Sequence, residues 1–438
     1  MPATPRTAVL VACKLPEIDE LEFESSLTEL ERLVTTLGYR VVGRLTQARA
    51  QLSPTAVLGE GKLRELAELT GADADDLDDD VDDDSGARRR RRRAEPEEPR
   101  VDLVAVDHEL TPSQLRQLER VAGTDVLDRT GVIIDIFHRH ARSREARLQV
   151  EIARLTYEAP RVRESPRGRE RQAGRGAGEA GLELDRRRIR DRIAELKQQL
   201  EAVQKLHSVR RAQRRDLRRV ALVGYTNAGK SSLMRALTGS AVYVEDKLFA
   251  TLDTTVRALS PEVKPRILVS DTVGFINHLP HDLVASFKST LDEALEASLI
   301  LHVVDASDPN WRSELEVTLQ VLEEIGADGV PRQLVLNKMD RVDAAHAEAL
   351  AAEFPEAWLV SAKREDDVRW MHQALVRHFE GHYVETELLI PYAQQRLVAD
   401  LHESARVLDE QYGELGVTVR VKAPPDLLAD VRQRLGLA

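Results

Sequence analysis

The sequence predicts a multidomain α/β protein: an N-terminal doubly wound α/β domain, a helical hairpin, a P-loop domain on a mostly parallel sheet, and a small C-terminal α/β domain. Three observations carry that expectation. Short apolar runs alternate with helically spaced leucines near the start, a basic stretch with an a/d seam follows, and a glycine-rich Lys-Ser loop then separates a strand from a helix. At 438 residues and roughly 150 residues per domain, the chain has room for about three such units. Its 42% hydrophobic content can fill their cores, which excludes a peptide or a wholly disordered chain.

In the first unit, residues 7–12 (TAVLVA), 39–45 (YRVVGRL) and 101–106 (VDLVAV) are strand candidates. Leu27, Leu30, Val34 and Leu37 keep helical spacing between the first two, and Leu115, Leu118 and Val121 do so after the third. Strand, helix, strand at these lengths reads as a doubly wound unit. Residues 72–99 interrupt it with nine aspartates between 73 and 84 and six consecutive arginines, Arg88 to Arg93. Too little there is apolar to offset the entropy of ordering, so a disordered loop insertion is expected, its arginines neutralised by neighbouring aspartates.

From Arg142 to Arg219 the character changes. Leu148, Ile152 and Leu155 share one helical face, and Ile189, Ile193, Leu196, Leu200 and Val203 recur at alternating four- and three-residue steps. A helix over 183–215 is expected, paired antiparallel with the first. The tip, residues 161–181, is rich in Gly and Arg and cannot be helical throughout. Residues 142–219 hold 23 Lys and Arg against 12 Asp and Glu, a local charge of +11 in a chain of net charge −12. Flexible Arg-rich segments that order on a phosphate backbone are a recurrent RNA-binding device, so Arg161, Arg163, Arg167, Arg169, Arg171 and Arg175 are candidate RNA contacts.

Cys13 is the single cysteine, which excludes an internal disulfide framework or a Cys-rich zinc site and points to a reducing compartment. No run approaches eighteen apolar residues and no signal peptide is visible, so a cytoplasmic protein without stable membrane insertion is expected. His138 and His140 lack Cys or clustered carboxylate neighbours and read as polar residues at the mouth of the first domain rather than a metal pair.

The chemistry lies in the third unit. A buried-type strand ending at Val223 runs into Gly224-Tyr225-Thr226-Asn227-Ala228-Gly229-Lys230-Ser231-Ser232, and a helix follows. Such a loop turns backbone N–H groups toward β and γ phosphates, Lys230 neutralises their oxygens, and the Ser231 hydroxyl can ligate Mg²⁺. The strand at 266–269 leads into Asp271-Thr272-Val273-Gly274, where Asp271 can hold the magnesium through water and Gly274 can approach the γ-phosphate. A third strand, 333–336, runs into Asn337-Lys338-Met339-Asp340. The Asp340 carboxylate can accept from guanine N1–H and the 2-amino group, Asn337 can meet the other purine edge, and the Lys338 stem can lie along the ring. Adenine would leave the carboxylate unpaired, a discrimination of roughly 10⁴-fold or more. Ser361-Ala362-Lys363 after a strand at 357–360 completes a base pocket. The nucleotide expected is GTP, with GDP as product.

The loop from Ala241 to Arg257 contains Thr251, Thr254 and Thr255, one of which should reach the magnesium and sense the γ-phosphate. After Asp-x-x-Gly this chain has Phe275, which cannot hydrogen-bond a water. Hydrolysis should therefore be slow in isolation and need a group supplied by a partner or a moving loop, worth about 4–7 kcal/mol in comparable systems.

With these residues in hand, the chain resembles the HflX-type ribosome-associated GTPases over essentially its whole length. The runs that carry the resemblance are 107–116 (DHELTPSQLR), 128–137 (DRTGVIIDIF), 144–151 (REARLQVE), 224–232 (GYTNAGKSS), Phe249-Ala250-Thr251-Leu252-Asp253, and 271–276 (DTVGFI). The resemblance implies that Thr251 is the magnesium-sensing threonine and that a hydrophobic residue at Phe275 is usual. It implies a Ras-like P-loop GTPase domain that binds the large ribosomal subunit and rRNA, splits stalled or stress-arrested ribosomes in the GTP state, and is stimulated by the ribosome. The hairpin tip would insert near the peptidyl-transferase centre. The tip departs from the family pattern at Gln172-Ala173 and Ala180-Gly181, and Thr254 stands where proline is usual.

The expected division is 1–139, 140–218, 219–380 and 381–438, with Leu388, Leu389 and Ile390 in the last core. Lys230, Thr251, Gly274 and Phe275 are the expected catalytic set, Ser231, Thr251 and Asp271 the Mg²⁺ set, and the protein is expected to be a monomer, with a membrane-peripheral fraction allowed. The rivals are a regulatory GTPase switch acting on a protein or membrane partner and an ATP-driven RNA remodeller. No second phosphate loop is visible in residues 1–139, since Gly59-Glu60-Gly61-Lys62 is too short.

Overall fold

The computed structural model describes residues 6–72, 101–162, 177–212, 218–239, 248–249, 255–277, 293–381 and 383–437; within 177–212 side chains are described for 183–205. The expected insertion at 72–99 and most of the tip thus lie outside the described residues. Two compact units divide at Ala202 and Val203, within a long helix.

The first unit holds a four-stranded, all-parallel sheet. Strands β1 (Arg6–Lys14), β2 (Tyr39–Ala48), β3 (Leu103–Val106) and β4 (Asp125–Asp128) lie in the order β2-β1-β3-β4. β1 is buried from Thr7 to Cys13, as a central parallel strand covered on both faces must be. Helix α1 (Glu20–Thr36) buries Leu27, Leu30 and Val34 and starts at Asp19, whose side chain caps the amide of Glu22. Helices α2 (Glu60–Thr70) and α3 (Pro112–Ala122) follow, the latter opened by a Thr111–Gln114 capping box. Strand β4 and α2 were not expected: β4 is only four residues, Asp-Val-Leu-Asp, too short for a periodic signal.

Helix α4 (Arg129–His140) carries His138 and His140 in its last turn and packs on α5 (Arg144–Glu158). What joins them is Asp128. It is fully buried and accepts from the amides of Leu110 (3.2 Å) and Gly131 (2.8 Å), the Tyr157 hydroxyl (2.7 Å) and the Arg161 guanidinium (2.9 Å). Arg161 also donates to the carbonyls of Tyr157 and Leu110 and lies 3.6 Å over the Tyr157 ring. Arg161, one of the arginines expected to contact RNA, is thus engaged within the first unit. A buried carboxylate demands a cation, and Arg161 supplies it. Arg163, Arg167, Arg169, Arg171 and Arg175 lie outside the described residues.

Helix α6 (Ala177–Ala212) has 36 residues and begins earlier than the expected 183. Ile189, Ile193, Leu200 and Val203 are half-buried and Leu196 is buried, while the arginines between them are exposed, so the a/d stripe is its covered face.

The second unit contains a six-stranded sheet in the order β10-β9-β8-β5-β7-β6, from β5 (Arg218–Gly224), β6 (Thr255–Ala258), β7 (Ile267–Asp271), β8 (Leu299–Asp305), β9 (Arg332–Asn337) and β10 (Trp358–Leu359). Only β6 pairs antiparallel, against β7. β8 is buried at all seven positions, the signature of a central parallel strand. Helices α7 (Lys230–Thr238), α8 (Trp311–Glu324), α9 (Ala344–Glu353) and α10 (Glu365–Glu380) accompany this sheet. The registers Leu222↔Asp271, Gly224↔Val303 and Asp305↔Asn337 bring four strand ends level at the carboxyl edge, where open α/β sheets place ligands.

A separate antiparallel sheet, β11-β13-β12, combines β11 (Val384–Ile390), β12 (Arg406–Tyr412) and β13 (Val417–Ala423) with helices α11 (Arg396–Ser404) and α12 (Pro425–Arg434). Leu388 and Ile390 enter its core, but Leu389 is 45% exposed. Three consecutive core leucine-type residues cannot share one face of a strand, because successive side chains alternate.

Candidate nucleotide site

β5 is buried from Val220 to Gly224 and delivers the glycine-rich loop to the amino end of α7. Gly229 has φ +95°, and a Cβ there would stand 2.2 Å from Asn337 Nδ2, so the loop needs glycine both for its turn and for the approach of the β9 loop. Lys230 is 6% exposed; its ammonium donates to the carbonyls of Gly224 (2.9 Å) and Tyr225 (2.7 Å). Burial pushes it down to about 8, with Asp271 and Glu314 opposing that shift.

Asp271 ends β7 fully buried, and the Ser231 hydroxyl donates to its Oδ2 across 2.7 Å. A hydroxyl and a carboxylate meeting beside the phosphate loop are hard oxygen donors of the type Mg²⁺ selects. Thr272 donates to the carbonyl of Leu222 (2.8 Å) and so fastens the start of the Asp-Thr-Val-Gly turn to β5. Gly274 lies against the phosphate loop: a Cβ on it would be 2.8 Å from Thr226 Cγ2 and 3.0 Å from Lys230 Nζ. The next residue is bonded in place, with Thr226 N–H donating to Phe275 O (2.7 Å) and Phe275 N–H to Gly224 O (3.2 Å). The Phe275 side chain is 2% exposed, and the Asn277 amide donates to the Tyr225 hydroxyl (2.6 Å).

At the base end, Asn337 is a structural tie as well as a candidate purine contact. Its Nδ2 donates to Ala228 O (2.9 Å) and its Oδ1 accepts from Ala362 N–H (3.2 Å). Lys338, at φ +62°, donates to Asp305 Oδ2 (2.7 Å), which fixes its stem. Asp340 accepts from the Ser361 hydroxyl (2.6 Å) with Lys363 Nζ at 3.7 Å, and the Ser361 bond holds its carboxyl below the usual carboxylate range. Ser361 N–H is tied to Asp367 (2.8 Å), and Met339 N–H donates to Val360 O.

The phosphate loop, Asp271 to Gly274, Asn337 to Asp340 and Ser361 to Lys363 therefore converge at one sheet edge. Phe249 is buried at φ +56°, while Ala250, Thr251, Leu252 and Asp253 lie outside the described residues. Asp305 and the Tyr225 hydroxyl escaped the sequence reading. Asp305 had a signal, a carboxylate closing the run Leu299–Val304, apolar but for His302; the Tyr225 bond had none, since its partner is a distant backbone amide.

Comparison with known proteins agrees with this geometry. Family models match over three stretches: a GTP-binding GTPase N-terminal model at 24–78 and 89–138, a GTP-binding GTPase middle region at 140–214, and a 50S ribosome-binding GTPase at 219–338. The chain is 58% identical over 438 residues to GTPase HflX of Gluconacetobacter diazotrophicus, covering 98% of this chain and 97% of that protein. It is 37% identical to GTPase HflX of Escherichia coli, covering 95% and 93%. A solved GTP-binding protein of the archaeon Sulfolobus solfataricus in complex with GDP is 24% identical, with a TM-score of 0.44 and coverage of 84% and 99%. Matched along nearly its whole length by the curated relatives, the chain belongs to the HflX family of GTPases and hydrolyses GTP.

Proposed function

We propose that this GTPase binds the large ribosomal subunit and its rRNA, splits stalled or stress-arrested ribosomes in the GTP state, and is stimulated by the ribosome to hydrolyse GTP to GDP and phosphate. The observation that carries this reading is the +11 charge of residues 142–219 in an otherwise acidic chain, directly before a segment that matches a 50S ribosome-binding GTPase. Among the described residues no helix is long and apolar enough to cross a membrane, in keeping with action on cytoplasmic ribosomes.

In this reading the phosphate loop from Gly224 to Ser232 cradles the phosphates, with Lys230 on the β and γ oxygens and the Gly274 amide on the γ-phosphate. Ser231, Asp271 through water, and Thr251 would hold Mg²⁺, which would offset charge developing on the phosphates. Asp340 selects guanine, Ser361 orients Asp340, and the Ser361 to Lys363 turn closes the base pocket beside Asn337. Phe249 to Asp253 change position with the nucleotide. The remaining tip arginines, Arg163 to Arg175, contact rRNA, while Arg161 anchors the root of their segment to Asp128.

The test is sedimentation of the full chain with ribosomes in sucrose gradients, with a non-hydrolysable GTP analogue or GDP. Conversion of whole ribosomes to subunits with the analogue alone supports the reading. Protein remaining unbound at moderate salt in both states would refute it.

A further inference from the structure

Lys338 spans the gap between the phosphate loop and the end of β8. A Cβ built on Gly229 would lie 3.9 Å from Lys338 Cε, so the stem passes beside that glycine. Beyond it the ammonium donates to Asp305 Oδ2 at 2.7 Å, in a place where the two side chains are only 14% and 11% exposed. Lys338 itself has φ +62°, a left-handed backbone that lysine adopts only when its surroundings hold it there. The backbone is held by its neighbours: Ala306 N–H donates to Asn337 O (3.0 Å), and Met339 N–H to Val360 O (3.2 Å). Asp305 holds the side chain.

Asp305 is held in turn. Its other oxygen, Oδ1, accepts from the Ser307 hydroxyl (2.6 Å) and the Ser307 amide (3.1 Å), which leaves Oδ2 for Lys338. The parallel register sets Asp305 level with Asn337, so the carboxylate stands beside the start of the Asn337 to Asp340 turn. A lysine side chain loses more rotamer freedom on being fixed than most others. Both partners of this pair belong to the chain, so the stem can be ordered before the base arrives. A wall ordered in advance raises affinity because binding has less left to order.

We propose that Asp305, oriented by Ser307, is a positioning residue for guanine nucleotides: it holds the Lys338 stem extended beside Gly229 as one wall of the base pocket. It thereby sets the affinity for GTP and GDP alike without touching either. The base is common to substrate, transition state and product, so Asp305 governs binding and KM and leaves kcat alone. The inference rests on the base pocket read at Asn337 to Asp340. Failure of that reading shows separately, as guanine binding unchanged in D340N.

The experiment uses the full chain as D305N, which keeps the shape and an acceptor for Ser307 but drops the charge, as K338M, which keeps a stem of nearly the same length without the ammonium, and as the double variant. Affinities are read with GDP and a non-hydrolysable GTP analogue, and turnover with large ribosomal subunits present. D305N should weaken both nucleotides at least about fivefold, by factors within about threefold of each other, and raise KM while kcat stays within about threefold of the parent. K338M should also weaken both at least about fivefold, and the double variant should bind no more than about threefold worse than the weaker single, since both changes release the same stem. A smaller loss in either single variant overturns the proposal. So does a larger fall in kcat for D305N, or losses that multiply in the double variant, either of which would make Asp305 a general support of the fold. If D305N does not fold, S307A, which keeps the charge pair but frees the carboxylate to turn, must weaken both nucleotides at least about threefold, and a smaller loss overturns the proposal.

Discussion

The amide of Thr226 donates to the carbonyl oxygen of Phe275 across 2.7 Å, while the Phe275 amide donates back to Gly224. The phosphate loop and the turn that follows Asp271 are thus one backbone-bonded assembly, and the aromatic side chain between them faces the protein interior. The residue that occupies the usual water-orienting position serves here as a packing element.

Replacing Phe275 by Gln should therefore not create a faster enzyme. The amide would enter a site that is 2% exposed, and losing the ring while burying an amide should cost about 3–5 kcal/mol. Thermal melting should fall and intrinsic GTP turnover should not rise. A faster F275Q protein of unchanged stability would show that the side chain can reach the phosphates.

Lys230 gives a pH signature. Its free ammonium is pushed down to about 8, whereas phosphates favour the charged form, so binding above that pH takes up a proton. Affinity for GDP should be flat from about pH 6.5 to 7.5 and then weaken toward tenfold per pH unit as pH rises further. In the nucleotide-free protein the sign is opposite. The unfolded chain binds more protons between about 8 and 10.5, so Lys230 contributes rising stability there. Calorimetry in buffers of different ionisation enthalpy checks proton uptake, and K230R, permanently charged, should lose the dependence. Equal slopes for parent and K230R would contradict the assignment.

Asp340 to Asn should cost guanine nucleotides roughly a hundredfold or more in affinity, because an acceptor pair becomes a donor facing N1–H and the 2-amino group. The same amide complements the 2-carbonyl of xanthine, so xanthosine diphosphate should gain. Competition against a fluorescent guanine nucleotide reads both, and unchanged guanine binding would remove Asp340 from the base pocket.

Asp128 and Arg161 form a buried pair whose loss should be felt in the first unit. R161A leaves a fully buried carboxylate without its cation, at a cost of about 3–5 kcal/mol. Burial and the Asp128 charge also push the Tyr157 phenol up, so it stays a donor to that carboxylate. Urea unfolding of R161A should shift to lower midpoint, and D128N with R161A should recover part of the loss. An unshifted midpoint for R161A would return that arginine to the pool of RNA contacts.

Much of this architecture was legible because its signals are local. The Gly224 to Ser231 loop announces itself by residue type at fixed spacing, and Asp271, Asn337 and Asp340 follow strands that read as apolar runs. What escaped depends on partners far along the chain. Arg161 looks like part of a Gly/Arg tip until Asp128, 33 residues earlier, is brought beneath it. Asp305 acquires meaning only when β8 and β9 align and Lys338 reaches it. Strand β4 is too short for periodicity.

The most direct test of the account is the GTPase rate of the full chain measured alone and with purified large ribosomal subunits. The account predicts slow intrinsic turnover and stimulation by about 10³-fold or more, as for other partner-supplied activation, with co-sedimentation strong in a GTP analogue and weak in GDP. A rate indifferent to the subunits, together with equal sedimentation in both nucleotide states, would contradict it.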